Sequence, residues 1–538
     1  MKGIKSFYIG PFLIAVVVFC SALLGQKVIE LKSQNRANHG VVQSSDYGAF
    51  LAAQHALYVN DFENAAKIIG EVKTSNKAIV QTKNIAEFFG GKMPENAETF
   101  KDSKDVIERL VYDAYLIQKD DWKSVYKRHN KDASPLSAPI RIFAGIKTGN
   151  PKDTAKFIDS MKTDDNWKSF VRGQIAVLKN DTDTAAKEFA KVHPDFMNIN
   201  DYFYLMSFYR ENNMTEDMNI LRNDYMARIG SMYMADYDYI PDWSNYSGYK
   251  NNLVFSLIQA VSHTQIMIYT DISLAFLRFA QVISDGTNVD AINYYLGQYY
   301  FYNNGDYQAC FNAIDKQSPL YIFGQMKIAE RKGDTGAIKK IVRKHPLFMP
   351  GVHTVLQYSI KNGDKRHALN VIKRGLRDKN LSAMGKVYFM KQRAYVYTMF
   401  GDVKRAQADI DTLHWLEGKM TPDTIVLQAR IWVQQKKNLD MAYDYAMSLI
   451  KMNPSDVVAW DLLSQIVALK EGPANALEIL ERIGEVNPLS DIYEHMGDFY
   501  KQQGDKVRAK QSYLRALDLS DDGLVIVPVV KKKIRKLK

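Results

Sequence analysis

Two cysteines in 538 residues, Cys20 and Cys310, leave no disulfide framework and no thiolate metal site. Histidine is as thinly spread. The nearest two of the ten, His345 and His353, are too far apart to share a helix face at the three- or four-residue spacing a helical zinc site needs. The chain has no Gly-rich loop ending in Gly-Lys-Ser/Thr, no Gly-x-Ser-x-Gly elbow and no His-Glu-x-x-His. Its acid pairs, Asp120-Asp121, Asp164-Asp165 and Asp521-Asp522, fall at turns or helix ends, where capping accounts for them. No catalytic, cofactor or metal set is therefore named. Strand-like alternation closed by hairpin turns is also missing, and 15 prolines are few enough for long helices.

What the chain does have is repetition. Ala275, Ala309, Ala337, Ala368, Ala406, Ala442, Ala476 and Ala509 follow one another at 34, 28, 31, 38, 36, 34 and 33 residues, each inside an apolar stretch of helical period. The last unit is the fullest: Tyr493, Met496, Gly497 and Tyr500 on one helix, then Gly504-Asp505, then Ala509, Tyr513 and Ala516 on the next. Trp460, Leu463 and Val467 precede Ala476, Leu480 and Pro488, while Gly173 and Ala176 precede Ala185 and Phe189. Turns recur between paired helices at Asn60-Asp61, Asn180-Asp181, Gly305-Asp306, Gly333-Asp334, Gly363-Asp364 and Gly401-Asp402.

This pattern resembles the tetratricopeptide repeat, Trp-x2-Leu-Gly-x2-Tyr, then Ala-x3-Phe, then Pro, over roughly residues 46 to 520. The fold class it implies is all-α: a superhelical solenoid of tetratricopeptide-like helix-turn-helix repeats with an N-terminal transmembrane or signal helix. An array suits 538 residues because each unit contacts only its neighbours. The whole chain looks like the long membrane-anchored or exported tetratricopeptide proteins of bacterial envelopes. The organisation read from the sequence is a basic start at 1–5, an apolar segment at 6–26, a linker at 27–45, divergent repeats at 46–233, an aromatic-rich loop at 234–251, a better-marked array at 252–520 and an apolar-then-basic tail at 521–538.

Residues 6–26 carry no charge, and at about 1.5 Å per residue they reach across a ~30 Å hydrocarbon layer. They read as an export signal kept as a single-pass anchor, with cleavage after Ala22 as the alternative; Phe19 argues against a lipidated Cys20. Lys2 and Lys5 favour a cytoplasmic N-terminus and an extracytoplasmic array, in a periplasm where the cell has two membranes. Of the formal +11 charge, Lys531, Lys532, Lys533, Arg535, Lys536 and Lys538 supply six. No basic stripe remains along the array, and nucleic acid is not an expected partner. The tail reads as the solvated end of a capping helix, with Leu524 to Val530 packed on the last hairpin; a basic segment on anionic lipid or an acidic partner is the other reading.

Tyr237, Tyr239, Trp243, Tyr246 and Tyr249 concentrate in the middle loop, where they plug a gap between hairpins or form a recognition patch. In tetratricopeptide proteins the first helix of each unit lines the concave surface that holds the ligand. Carried over unit by unit, that resemblance nominates Tyr294, Gln298 and Phe301, then Lys391 and Tyr395, then Asp461 and Gln465, then Glu494 and Asp498. The family's carboxylate clamp uses Lys, Arg and Asn, whereas the last two units offer acids. The expected function is a membrane-tethered, non-enzymatic scaffold or adaptor whose groove takes a protein or peptide, in envelope assembly or the organisation of a protein complex. The alternatives are an enzyme with its site near the aromatic middle segment and an RNA-binding helical array.

Overall fold

The computed structural model describes residues 44–537 apart from 60, 73–75, 132–135, 229–238, 264–270, 304, 380, 419, 522 and 524. The expected anchor at 6–26 lies outside them. Among the described residues no helix is long and apolar enough to cross a membrane, and there is no strand.

The chain is a succession of helices. The first are α1 (Ser44–Tyr58), α2 (Phe62–Gly70), α3 (Lys77–Phe89), α4 (Val106–Gln118), α5 (Trp122–His129), α6 (Ala138–Lys147), α7 (Pro151–Ser160), α8 (Asp165–Leu178) and α9 (Thr182–Phe189). Then come α10 (Ile199–Glu211), α11 (Thr215–Arg228), α12 (Gly248–His263), α13 (Asp271–Ile283), α14 (Val289–Tyr302) and α15 (Tyr307–Asn312). The rest are α16 (Pro319–Arg331), α17 (Thr335–Lys344), α18 (Met349–Lys361), α19 (Lys365–Leu376), α20 (Ala383–Met399), α21 (Val403–Glu417) and α22 (Pro422–Gln435). They are followed by α23 (Leu439–Met452), α24 (Val457–Lys470), α25 (Pro473–Val486), α26 (Ser490–Gln502), α27 (Lys506–Asp518) and α28 (Val527–Arg535).

The turns work as their residue types require. Asp61, Asp121, Asp181, Asp306, Asp334, Asp364 and Asp505 each accept a hydrogen bond from the amide three residues on, satisfying a free donor of the helix they open. Gly363 and Gly504 precede such turns at φ +75° and +85°, where a side chain would be strained.

Close approach between paired helices is set by a glycine under an aromatic ring. A β-carbon on Gly173 would lie 2.3 Å from the Phe189 ring, on Gly297 2.4 Å from Phe311, and on Gly497 2.5 Å from Tyr513. The ring sits one helical turn past a fully buried alanine in two of these pairs, Ala185 before Phe189 and Ala509 before Tyr513. Six of the eight alanine rungs, Ala275, Ala368, Ala406, Ala442, Ala476 and Ala509, are fully buried. Ala337 is half-buried and Ala309 is exposed, which corrects the reading of a continuous ladder. Ala309 stands only two residues before the buried Phe311, so it points to the opposite side of its short helix. Ala309→Leu is accordingly expected to change stability by less than about 0.5 kcal/mol, whereas the same change at Ala509 should cost about 1–3 kcal/mol, as read by urea unfolding.

The described residues divide into two compact units, those within 44–192, 198–204 and 241–315 in one, and those within 193–197, 205–240 and 316–537 in the other. This differs from a division at 234–251: residues from Pro241 belong with the first unit, and α12 already begins at Gly248. The first unit also departs from a plain solenoid, in which only neighbours touch. Here α12 packs on α6 and α8, and α13 packs on α3 and α4. Three of these, α4, α6 and α8, are first helices of consecutive hairpins, so a later hairpin covers the surface where the resemblance places a ligand.

Polar side chains set the register of that closure. Tyr204 donates to Asn252 Oδ1 at 2.7 Å, Ser256 donates to Gln174 Oε1 at 3.0 Å, and Gln259 donates to Asp201 Oδ1 at 2.8 Å. Asn252 and Gln174 are fully buried, which makes these bonds costly to break. Trp243 and Tyr246 pack on Tyr204 at 5.4 and 5.0 Å between ring centres. Trp243 and Tyr246 thus fill space in the first unit.

Candidate partner-binding surfaces

In the second unit α20, α22, α24 and α26, the first helices of consecutive hairpins, pack directly on one another along the inner side. Their facing polar residues form a connected row. Lys391 on α20 pairs with Glu417 at 2.8 Å and donates to Thr421 Oγ1 at 2.9 Å. Burial pushes the Tyr395 hydroxyl above its ordinary pKa, against the opposing charge of Arg430 on α22. Asp461 on α24 is 1% exposed and bonds to Gln465 at 2.9 Å and to His495 Nδ1 on α26 at 2.6 Å.

The electrostatics of this row follow from its geometry. Burial disfavours the Asp461 carboxylate, but His495, Arg430 and Gln465 together hold its pKa below the usual range. Burial likewise disfavours the His495 imidazolium, yet Asp461, aided by Glu494 and Asp498, raises it to about 9. Asp491, a half-buried residue whose Oδ1 is shut off from solvent, is pushed up instead by that burial and by the Asp461 charge. At the end of the row, Lys533 from α28 bonds Glu494 at 2.8 Å and Asp498 at 2.5 Å, and Tyr513 donates to Asp498 at 2.6 Å.

All six residues nominated in the second unit therefore fall in one row, but engaged with neighbours. The three nominated in the first unit, Tyr294, Gln298 and Phe301, lie on α14, where Tyr294 packs on Tyr295 and Phe311, and Phe301 on Tyr302 and Tyr307. Sequence reasoning missed Arg430, Asp491, His495 and Lys533. A signal existed for His495, which stands 34 residues after its partner Asp461, one repeat further on.

A second surface of this unit is open. The start of α24 and the end of α25 enclose a groove of about 670 Å³, walled by Val457, Trp460, Ile479, Ile483 and Val486. Trp460 is fixed in place by donating its indole N–H to Pro454 O at 2.9 Å. Val486 is 87% exposed, an unusual position for a valine, and Glu478 and Arg482 pair with each other at the rim.

With glycine seated under the ring of its partner helix, these hairpins are tetratricopeptide-like. No protein-family model and no curated protein matches the chain. Solved structures do: a tetratricopeptide repeat protein from Parabacteroides merdae is 14% identical over 46% of this chain and 92% of its own, with a TM-score of 0.32. The APC/C hetero-tetramer Cut9-Hcn1 is 14% identical over 92% of this chain and 96% of the matched one, at a TM-score of 0.34. Yeast Tom70 is 12% identical, with 82% and 94% covered and a TM-score of 0.27. At such scores the description of the fold rests on the hairpin geometry above.

Proposed function

We propose that this chain is a non-enzymatic scaffold or adaptor that holds a protein partner in the Trp460 groove of its second unit. The observation that supports it is the groove itself: apolar, open, and built on a rigid wall by an indole whose N–H is already bonded. The neighbouring inner row already engages Lys391, Asp461, His495, Glu494 and Asp498 in ion pairs of its own, whereas the groove is apolar and open. Residues 6–26 would tether the array to a membrane on its extracytoplasmic side, a reading supported by their uncharged length and the lysines before them. On that basis the scaffold would serve envelope assembly or the organisation of a protein complex.

The test is crosslinking in cells with the full chain and with Val486→Asp, followed by detergent extraction. Because Val486 is exposed, the variant keeps its fold, while a carboxylate in an apolar contact should weaken partner capture at least about tenfold. Equal capture by both chains refutes the groove. The same fractionation reads the tether: full chain recovered without detergent removes it.

A further inference from the structure

The apolar part of the tail packs on the last hairpin as expected, but the basic part is not wholly solvated, because Lys533 is engaged. Asp521 pairs with Lys361 at the end of α18. Ile526 is 8% exposed within a cluster that includes Met326, Val371 and Phe389, and it lies with Pro528 against Gly363: a β-carbon there would be 3.4 Å from Pro528 and 3.6 Å from Ile526. Val525, fully buried, belongs to the neighbouring cluster of α22 to α27, together with Val530 and Leu537. Lys533 then reaches Glu494 and Asp498, its ammonium 5.7 Å from the centre of the Tyr513 ring. One short segment thus spans from the α18–α19 turn to α26 and α27. The other basic residues of its helix, Lys531, Lys532, Arg535 and Lys536, are exposed.

We propose that this inner side is a receptor for segments that are apolar first and then basic on a helix, and that residues 525–537 are its resident, exchangeable occupant. The recognition chemistry is on view. Buried valines supply the apolar anchor, and two carboxylates one helical turn apart, Glu494 and Asp498, take a single ammonium. Burial opposes the charge on Lys533, but the two acids outweigh it and raise its pKa, so the pair of acids is matched to a permanent cation. A tethered occupant competes at an effective concentration in the millimolar range, so an external segment of the same chemistry displaces it only at about that concentration, or at a lower one in proportion to a tighter affinity. The free protein is thereby closed to weak or non-basic ligands. This inference shares the scaffold reading of the second unit but uses a different surface from the Trp460 groove.

The test uses the full chain with Val530→Asp and Lys533→Glu, which should release the segment, and a labelled synthetic peptide of residues 521–538 as probe. Circular dichroism melting reports whether the hairpins stay folded. By fluorescence anisotropy the released chain should bind the peptide at least about tenfold more tightly than the natural chain, and more weakly as salt rises. A peptide carrying Lys533→Glu should lose at least about tenfold. If the double variant does not fold, hydrogen exchange of residues 525–537 in the natural chain is followed with peptide raised to several times the ~1 mM effective concentration of the tether, and exchange should rise. A folded, released chain that ignores the peptide, or unchanged exchange, overturns the proposal. Val486→Asp should leave peptide binding unchanged, so failure here is separable from failure of the groove.

Discussion

Gly497→Val is expected to destabilise the last hairpin by about 3 kcal/mol or more and to melt α26 and α27 ahead of the rest of the second unit. Two effects of opposite sign compete. Replacing a mid-helix glycine relieves a conformational penalty of roughly 0.5–1 kcal/mol. Against this, even the β-carbon would lie 2.5 Å from two atoms of the Tyr513 ring, closer than van der Waals contact permits. The ring has no room to yield, since Tyr513 is fully buried and its hydroxyl is bonded to Asp498 at 2.6 Å. Overpacking therefore wins, and the γ-methyl groups of valine enlarge it. Alanine at the same position should fall between, near 1 kcal/mol of loss. Urea unfolding combined with hydrogen exchange at α26 and α27 measures both. A valine variant within about 0.5 kcal/mol of the natural chain would show that the helices do not depend on this approach.

That glycine is also the clearest case of structure legible from sequence. Gly497 and Tyr513, like Gly173 and Phe189, stand at the spacing that a tetratricopeptide hairpin uses, and the ring lies on the glycine in both. Ala309 shows what alanine spacing alone cannot carry. A spacing taken from alanines alone cannot register that Phe311 comes early, which turns the alanine outwards. The closure of the first unit was hidden for a different reason. Periodicity identifies which face of a helix is buried, never which helix covers it, and α12 buries Asn252, Ser256 and Gln259 beside its apolar residues. No stripe marks such a helix as the lid of α6 and α8.

The inner row was half legible. Counting by repeats placed Lys391, Tyr395, Asp461, Gln465, Glu494 and Asp498 on it, because the first helix of each hairpin keeps its orientation. It could not show that the acids already have partners. Lys533 was hidden in a run of basic residues, and among the described ones it alone lies on the buried side of α28, three residues after Val530. A charge run reads as solvent-facing until one member is placed.

Raising the pH from 7 to 9 is expected to weaken the contact between α24 and α26 by about 2 kcal/mol, with His495 as the titrating group. Its pKa of about 9 lies above the ordinary 6.5, so the folded state holds the proton more tightly than the unfolded chain does. The resulting stability is complete below about pH 6.5 and disappears as the pH rises through about 9. Asp461 acts at the other end: its pKa is lowered from 3.8, so its contribution is present above that value and is lost as pH falls further. The row is therefore most stable in mildly acidic solution. Lys533, held above its ordinary value by Glu494 and Asp498, stays charged through this range and does not imitate the effect. His495→Gln should flatten the slope between pH 7 and 9. It should also cost about 3 kcal/mol at pH 6.5, because Asp461, 1% exposed, would keep Gln465 and the Arg430 charge but lose its closest cation. Urea unfolding of both chains at pH 6, 7, 8 and 9 decides the matter: parallel profiles would mean that the Asp461–His495 pair does not couple the hairpins.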